Sequence, residues 1–227
     1  MAMISSIATN KPSLDRASDR VASSTDSESE WSNYYAALLR HVQAHQAAAQ
    51  VASFAIGITS CGRGEGVTTV AINLAVVAAR SGNRRVLLVD ANSSHPCVAK
   101  YLGLKTTVGL TDVLGGGAML GDCLQSISLG ALSILSAGAS AKQLGSAYQV
   151  SDVINLLDEL KSEFELIIFD LPQAEELSEC YAFAGALDGV LLVLEAGRVD
   201  MRVARRVRQR LDHCQANVLG AIYNKQK

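Results

Sequence analysis

The residues with the most chemistry in them lie together in one short stretch, Cys61-Gly62-Arg63-Gly64-Glu65-Gly66-Val67-Thr68-Thr69. Glycines at this density let successive backbone N–H groups turn toward a common centre. A helix starting directly afterwards adds the partial positive charge of its N-terminus. Such a loop binds anions, and its spacing nearly matches the phosphate-binding pattern G-x-x-x-x-G-K-[ST]. Cys61 stands where that pattern has its first glycine, and Val67 where it has its lysine. Thr68 keeps the hydroxyl that holds magnesium. Two carboxylates accompany the loop: Asp90 closes the apolar run Val86–Val89, and Asp170 closes Leu166–Phe169. A carboxylate at the C-terminal end of a parallel strand faces the crevice where ligands bind in open α/β sheets. Each aspartate is open to a second reading, that of a helix N-cap.

These groups need elements to hold them. Phe54–Ile58 reads as a buried strand feeding the loop, and Val67–Ala79 as a helix buried on most sides. Ser81-Gly82-Asn83 ends that helix. Further strands are expected at 86–89, 132–135, 166–169, 189–194 and 218–223, with helices at 150–164 and 201–214. Strands alternating with helices predict a mostly parallel sheet with helices on both faces. Upstream, Trp31, Tyr34, Tyr35, Leu38, Leu39 and Val42 recur at helical spacing, giving a helix over 30–50. That helix either packs on the domain or docks a partner. His41 and His45 on it lack a third metal ligand nearby and read as ordinary histidines. Residues 1–29, rich in Ser, Asp, Thr and Ala with few large apolar groups, read as a disordered tail ahead of a domain spanning 30–227.

Composition narrows the function classes. The chain has 227 residues, 49% of them hydrophobic, enough for one α/β domain. A net charge of −2 gives no argument for nucleic acid as a partner. The five cysteines form no C-x-x-C pair, which points to reduced thiols in a cytoplasm. The first residues carry no signal-peptide pattern, and no apolar run approaches a membrane span. Five arginines, Arg202, Arg205, Arg206, Arg208 and Arg210, lie on the helix whose apolar stripe is Val203, Val207 and Leu211, and read as a solvated basic face; docking onto acidic lipid or an acidic partner is the other reading.

From Tyr34 to Gln226 the chain resembles the cytoplasmic domain of bacterial tyrosine kinases (BY-kinases). These belong to the MinD/ParA class of P-loop proteins and act in capsule and exopolysaccharide synthesis. Thr59-Ser60 with Gly64-Glu65-Gly66-Val67-Thr68-Thr69 resembles the family's T-S…P-G-E-G-K-[ST]-T loop, and Asn73-Leu74-Ala75 follows at its spacing. Val86-Leu87-Leu88-Val89-Asp90-Ala91-Asn92 with Pro96 is similar to L-L-I-D-A-D-x-R-x-P. Gly109–Leu114 is similar to G-L-S-D-x-L, and Leu132–Leu135 with Ala137-Gly138 to L-x-V-L-x-A-G. Ile167-Ile168-Phe169-Asp170-Leu171-Pro172 is similar to the I-I-I-D-T-P-P segment. Ala186–Val193 and Leu219–Asn224 match the last two strands.

The resemblance implies a three-layer P-loop NTPase-like α/β fold. It implies ATP and magnesium as cofactors, held by Gly62, Arg63, Gly64, Glu65, Gly66, Val67, Thr68 and Thr69, with Thr68, Asp90 and Asp170 on the metal and the two aspartates as the catalytic carboxylates. It also places Asn224 at the adenine, although a strand-end turn residue is the competing reading. The departures fall on the chemistry. Val67 replaces the lysine, Asn92 the second aspartate and Ser94 the arginine of the acidic motif. Leu171 and Gln173 flank Pro172, and Glu179 replaces an aspartate. The P-N-P-x-E-L motif is missing after Gly138. Of the oligomerisation motif E-x-x-R-x-x-R only Arg40 remains, with Tyr34 and Ala37 at the other positions, and no tyrosine cluster closes the chain. A valine supplies no charge to a transferring phosphoryl group.

The expectation is therefore a cytoplasmic regulatory pseudokinase with weak or lost ATP and magnesium binding. Its partner is a membrane polysaccharide chain-length protein, and it reaches the membrane only through that partner. The competing readings are an active kinase or ATPase drawing its cation from Arg63 or a neighbouring subunit, and a MinD/ParA-type positioning ATPase.

Overall fold

In the computed structural model the described residues are 3–7, 25–82, 84–105, 108–127, 131–139, 150–174 and 178–224, with side chains described from residue 31 onward except 178 and 179. The elements in chain order are β1 (Met3–Ile7), α1 (Thr25–Ala49), β2 (Phe54–Ser60), α2 (Val67–Arg80), β3 (Val86–Asp90), α3 (Val98–Tyr101), α4 (Leu110–Leu114), α5 (Leu120–Cys123), β4 (Leu124–Ile127), β5 (Leu132–Leu135), α6 (Val150–Glu163), β6 (Leu166–Asp170), α7 (Ser178–Ala184), β7 (Gly189–Glu195), α8 (Met201–His213) and β8 (Val218–Asn224). One eight-stranded sheet has the order β1-β8-β7-β2-β6-β3-β5-β4. Every pairing is parallel except β4 with β5.

The central strands read as unbroken apolar runs because helices cover both faces, and every residue of β2, β3 and β6 is buried. The two-residue period sorts their side chains. Ala55, Leu87, Val89, Ile167 and Phe169 join a cluster with Val153, Leu157 and Leu160 of α6, Phe183 of α7, and Val207 and Leu211 of α8. Ile56, Ile58, Val86, Leu88, Leu166 and Ile168 face the other way, onto Tyr35, Leu38 and Val42 of α1 and Val70, Ile72 and Leu74 of α2. The result is three layers, helix–sheet–helix. The expected fold class holds.

α1 settles the choice between packing and docking for its aromatic stripe. Tyr35, Leu38, Leu39 and Val42 are buried, Trp31 and Tyr34 pack partly buried against the same cluster, and the Asn73 amide donates to the Tyr35 hydroxyl at 3.3 Å. The stripe is core. His41 and His45 stack edge-on at 4.8 Å, and His41 Nε2 lies 3.3 Å from the Leu219 carbonyl oxygen. Within the segment read as a disordered tail, Met3–Ile7 pairs with β8 and α1 already begins at Thr25. Both depart from that reading: β8 has a free edge ladder that five residues can complete, and the helix extends upstream of its apolar stripe. The rest of that tail, and the closing Lys225–Lys227, lie outside the described residues.

Candidate functional site

β6 lies between β2 and β3, so chain order and sheet order part at the C-terminal ends of these strands. That is where a crevice opens in such sheets. In-register pairing sets Asp90 beside Asp170, and the Ala91 amide donates to the Asp170 carbonyl at 3.0 Å. β2 ends one strand away and runs into the loop, which turns into α2 at Gly66. Gly66 has φ +98, in the left-handed region, and a Cβ there would come within 2.1 Å of Asn224 Nδ2. Thr68, in the first turn of α2, donates its hydroxyl to Asp170 Oδ2 at 2.7 Å. The three groups expected in one crevice are brought together there.

Beside them, with Thr68 in its wall, is a cavity of about 550 Å³ lined by Ser60, the loop residues Gly62–Thr69 and by Asn92, His95, Cys97, Tyr101, Leu171 and Gln173. Arg63 is exposed at its mouth. Val67 is half-buried and packs against the α1/α2 cluster, as its chemistry dictates. Glu65 is buried, with its carboxylate turned back to accept from the Gly62 amide at 2.7 Å, so it shapes the loop from within. Burial pushes its carboxyl up, against the amides of Gly62, Glu195 and Cys61. Asn224 is buried beneath the loop and donates to the Glu65 carbonyl at 2.7 Å. That bond gives Asn224 a structural role at the strand end. Asn92 accepts from the His95 amide at 3.1 Å, a turn its carboxamide closes without any negative charge.

The two aspartates differ. Asp90 accepts from the amides of Val98 at 2.9 Å, Cys97 at 3.0 Å and Asn92 at 3.3 Å. Burial outweighs those bonds and pushes its carboxyl up to about 6. Asp170 is fully buried, and its Oδ1 has no hydrogen-bond partner among the described residues. Burial, then the Asp90 charge, pushes it well up, against the Thr68 hydrogen bond. A buried carboxylate oxygen without a donor, beside a second carboxylate and a hydroxyl, is a hard-oxygen set that magnesium fits. Cys97 was invisible to motif reading. Its Sγ lies 3.3 Å from the Thr68 hydroxyl, and burial raises its thiol to about 11, so it sits beside Thr68 as a neutral group. Only its place shortly after Asp90 could have pointed to it.

The comparisons with known proteins follow this geometry. A tyrosine-protein kinase of Bacillus subtilis, YwqD, is 32% identical over 170 residues, covering 75% of this chain and 71% of its own length. The chain belongs to the bacterial tyrosine kinase family. The succinoglycan biosynthesis transport protein ExoP of Rhizobium meliloti is 30% identical over 173 residues, but the match spans only 22% of that protein. Among solved structures, the VpsO kinase domain superposes with a TM-score of 0.72 at 27% identity, over 90% of this chain and 100% of that one. The septum site-determining protein MinD of Pyrococcus horikoshii, solved with Mg-ADP, gives a TM-score of 0.66 at 26% identity, over 76% of this chain and 70% of that one. No family model matches the chain. This BY-kinase-like domain thus keeps the P-loop fold and the strand-end carboxylates while carrying valine at the loop lysine.

Proposed function

We propose that this chain is a nucleotide-binding regulatory member of the BY-kinase family, acting in exopolysaccharide or capsule assembly with little or no phosphoryl transfer. The observation that carries it is Val67. Around that position the loop, Thr68, Asp90 and Asp170 are assembled, but the side chain that would touch the transferring group is a half-buried hydrocarbon. Phosphoryl transfer is catalysed by positioning and by positive charge on the phosphates. Removing one preorganised electrostatic contact costs roughly a hundredfold to a thousandfold in rate.

Thr68, Asp90 and Asp170 would hold magnesium, which supplies charge to the terminal phosphates when bound. The residues of this chain do the rest: backbone N–H groups of the loop bind phosphate, Glu65 and Asn224 fix the loop's shape, and Gln173 and Leu171 border the cavity. A role in polysaccharide assembly is supported by the similarity to the succinoglycan biosynthesis transport protein ExoP. A membrane co-polymerase is the partner that fits such a system, and among the described residues no helix is long and apolar enough to cross a membrane.

The test is magnesium-dependent ATP turnover and ATP affinity of the unmodified protein and of Val67→Lys. Negligible turnover with measurable ATP binding, and tighter binding in the variant, is the expected result. Robust turnover by the unmodified protein that is lost in Arg63→Ala would instead establish the second reading, an active enzyme with a replacement cation; Arg63 at the cavity mouth is the observation that keeps it in play.

A further inference from the structure

We propose that Arg198 is an anion-binding residue of the loop and that it holds the phosphates nearest the nucleoside, those common to ADP and ATP. This rests on the nucleotide-binding reading above. Arg198 lies in the turn between β7 and α8. Its amide donates to the Glu195 carbonyl at 3.2 Å, with Gly197 at φ +73 completing the turn. Glu195 ends β7 directly opposite Asn224 of β8, the residue that ties down the loop through the Glu65 carbonyl. The turn therefore stands over the loop on its β7/β8 flank. Arg198 Nη1 lies 3.9 Å from where a Cβ on Gly64 would sit. Its ion pair with Glu195 Oε2, at 2.9 Å, folds the side chain back over the strand end, yet 62% of it stays open to solvent.

Two arginines thus stand near the loop, and they differ in preorganisation. Arg63 is exposed on the loop tip, and no hydrogen bond or ion pair to another described residue holds it. Arg198 has an ion-pair partner on the strand end, Glu195, which biases its side chain toward the loop, and its planar fork suits phosphate oxygens. Its flank decides which phosphates it meets. Thr68, Asp90 and Asp170 lie on the β3/β6 flank, where the metal-linked terminal phosphate belongs. Arg198 lies on the opposite flank and is remote from that end. It contributes to holding a nucleotide and contributes nothing that distinguishes the triphosphate from the diphosphate. The orphaned Asp170 Oδ1, at the end of β6 beside Thr68, marks the other end of the loop as a ligand site.

The experiment is calorimetric titration of the full chain with MgADP, MgATP and inorganic pyrophosphate, on the unmodified protein, Arg198→Ala and Arg63→Ala. Thermal melting controls for folding, which an exposed arginine leaves unchanged. Arg198→Ala is expected to weaken all three ligands by a similar factor of about tenfold to a hundredfold, the range of a charge-assisted hydrogen bond. Arg63→Ala is expected to stay within about twofold by the same reasoning about immobilisation. Unchanged binding in Arg198→Ala, with the unmodified protein binding all three, overturns the Arg198 assignment and leaves the nucleotide reading standing. Loss of nucleotide binding with pyrophosphate binding intact also overturns it, moving the contact to the base or ribose. If the unmodified protein binds none of the three ligands, both readings fall together.

Discussion

The strand-end carboxylates and the loop position at Val67 belong to one end of the sheet, and they are built on opposite terms. Asp90 is tied into the fold by three backbone amides, so removing it disturbs structure as well as chemistry, while Asp170 beside it on the paired strand meets the Thr68 hydroxyl. Position 67 has no such ties. Its side chain emerges from the first turn of α2, and a valine there finds apolar company in the α1/α2 cluster. A charged group at that point serves only a bound phosphate. The difference teaches that a site can lose the part used solely in the reaction while the parts that also hold the fold remain in place.

The largest expected effect falls where backbone geometry holds the loop. Gly66→Ala should destabilise the protein by about 3 kcal/mol, from the left-handed φ and the collision with Asn224, read as a lower urea midpoint. An effect below about 1 kcal/mol would mean that the loop is free to reshape. Next, Asp90→Ala should cost about 2 kcal/mol, because three amide bonds lose their acceptor. Asp170→Asn should go the other way and stabilise by about 1–2 kcal/mol at neutral pH, since it removes a fully buried charge facing another, while abolishing any magnesium dependence of nucleotide binding. Equal losses from both substitutions would erase the distinction between a carboxylate serving the fold and one serving a metal.

The smallest expected effect is the pH response of the metal-free protein. A carboxyl raised from 3.8 to about 6 by burial favours folding most when protonated. Its contribution is fully present below about pH 4 and is lost as pH rises through about 6. Stability should therefore rise by about 1 kcal/mol between pH 7 and pH 5, seen as a melting temperature a few degrees higher. Asp170→Asn should leave the part of that slope set by the burial of Asp90 and remove what the buried Asp170 carboxyl adds to it. Magnesium at pH 7 should supply comparable stabilisation to the unmodified protein.

The sequence made most of the scaffold legible. The apolar runs and their punctuation put β2, β3, β5, β6, β7, β8, α2, α6 and α8 within a few residues of their observed bounds, because buried parallel strands and helices carry strong patterns. β1, β4 and the short helices α3, α4, α5 and α7 escaped. Elements of four to seven residues are specified by the neighbours they pair with or cap rather than by their own periodicity. At the site, the motif located Thr68, Asp90 and Asp170. It could not reveal that Glu65 turns beneath the loop, that Cys97 reaches Thr68, or that Arg198 pairs with Glu195 at the end of β7. Each of these is a contact across a turn or between distant strands, fixed by side-chain direction rather than by spacing.

One edge of the sheet joins the start of the chain to the loop. Ile7 of β1 pairs with Asn224 of β8, and Asn224 in turn grips the Glu65 carbonyl. β1 is therefore an edge strand seated next to the anchor of the loop. A foreign strand that displaced it would dock by main-chain pairing and would pull or release the same anchor. A change at that edge would reach the glycine loop over two contacts.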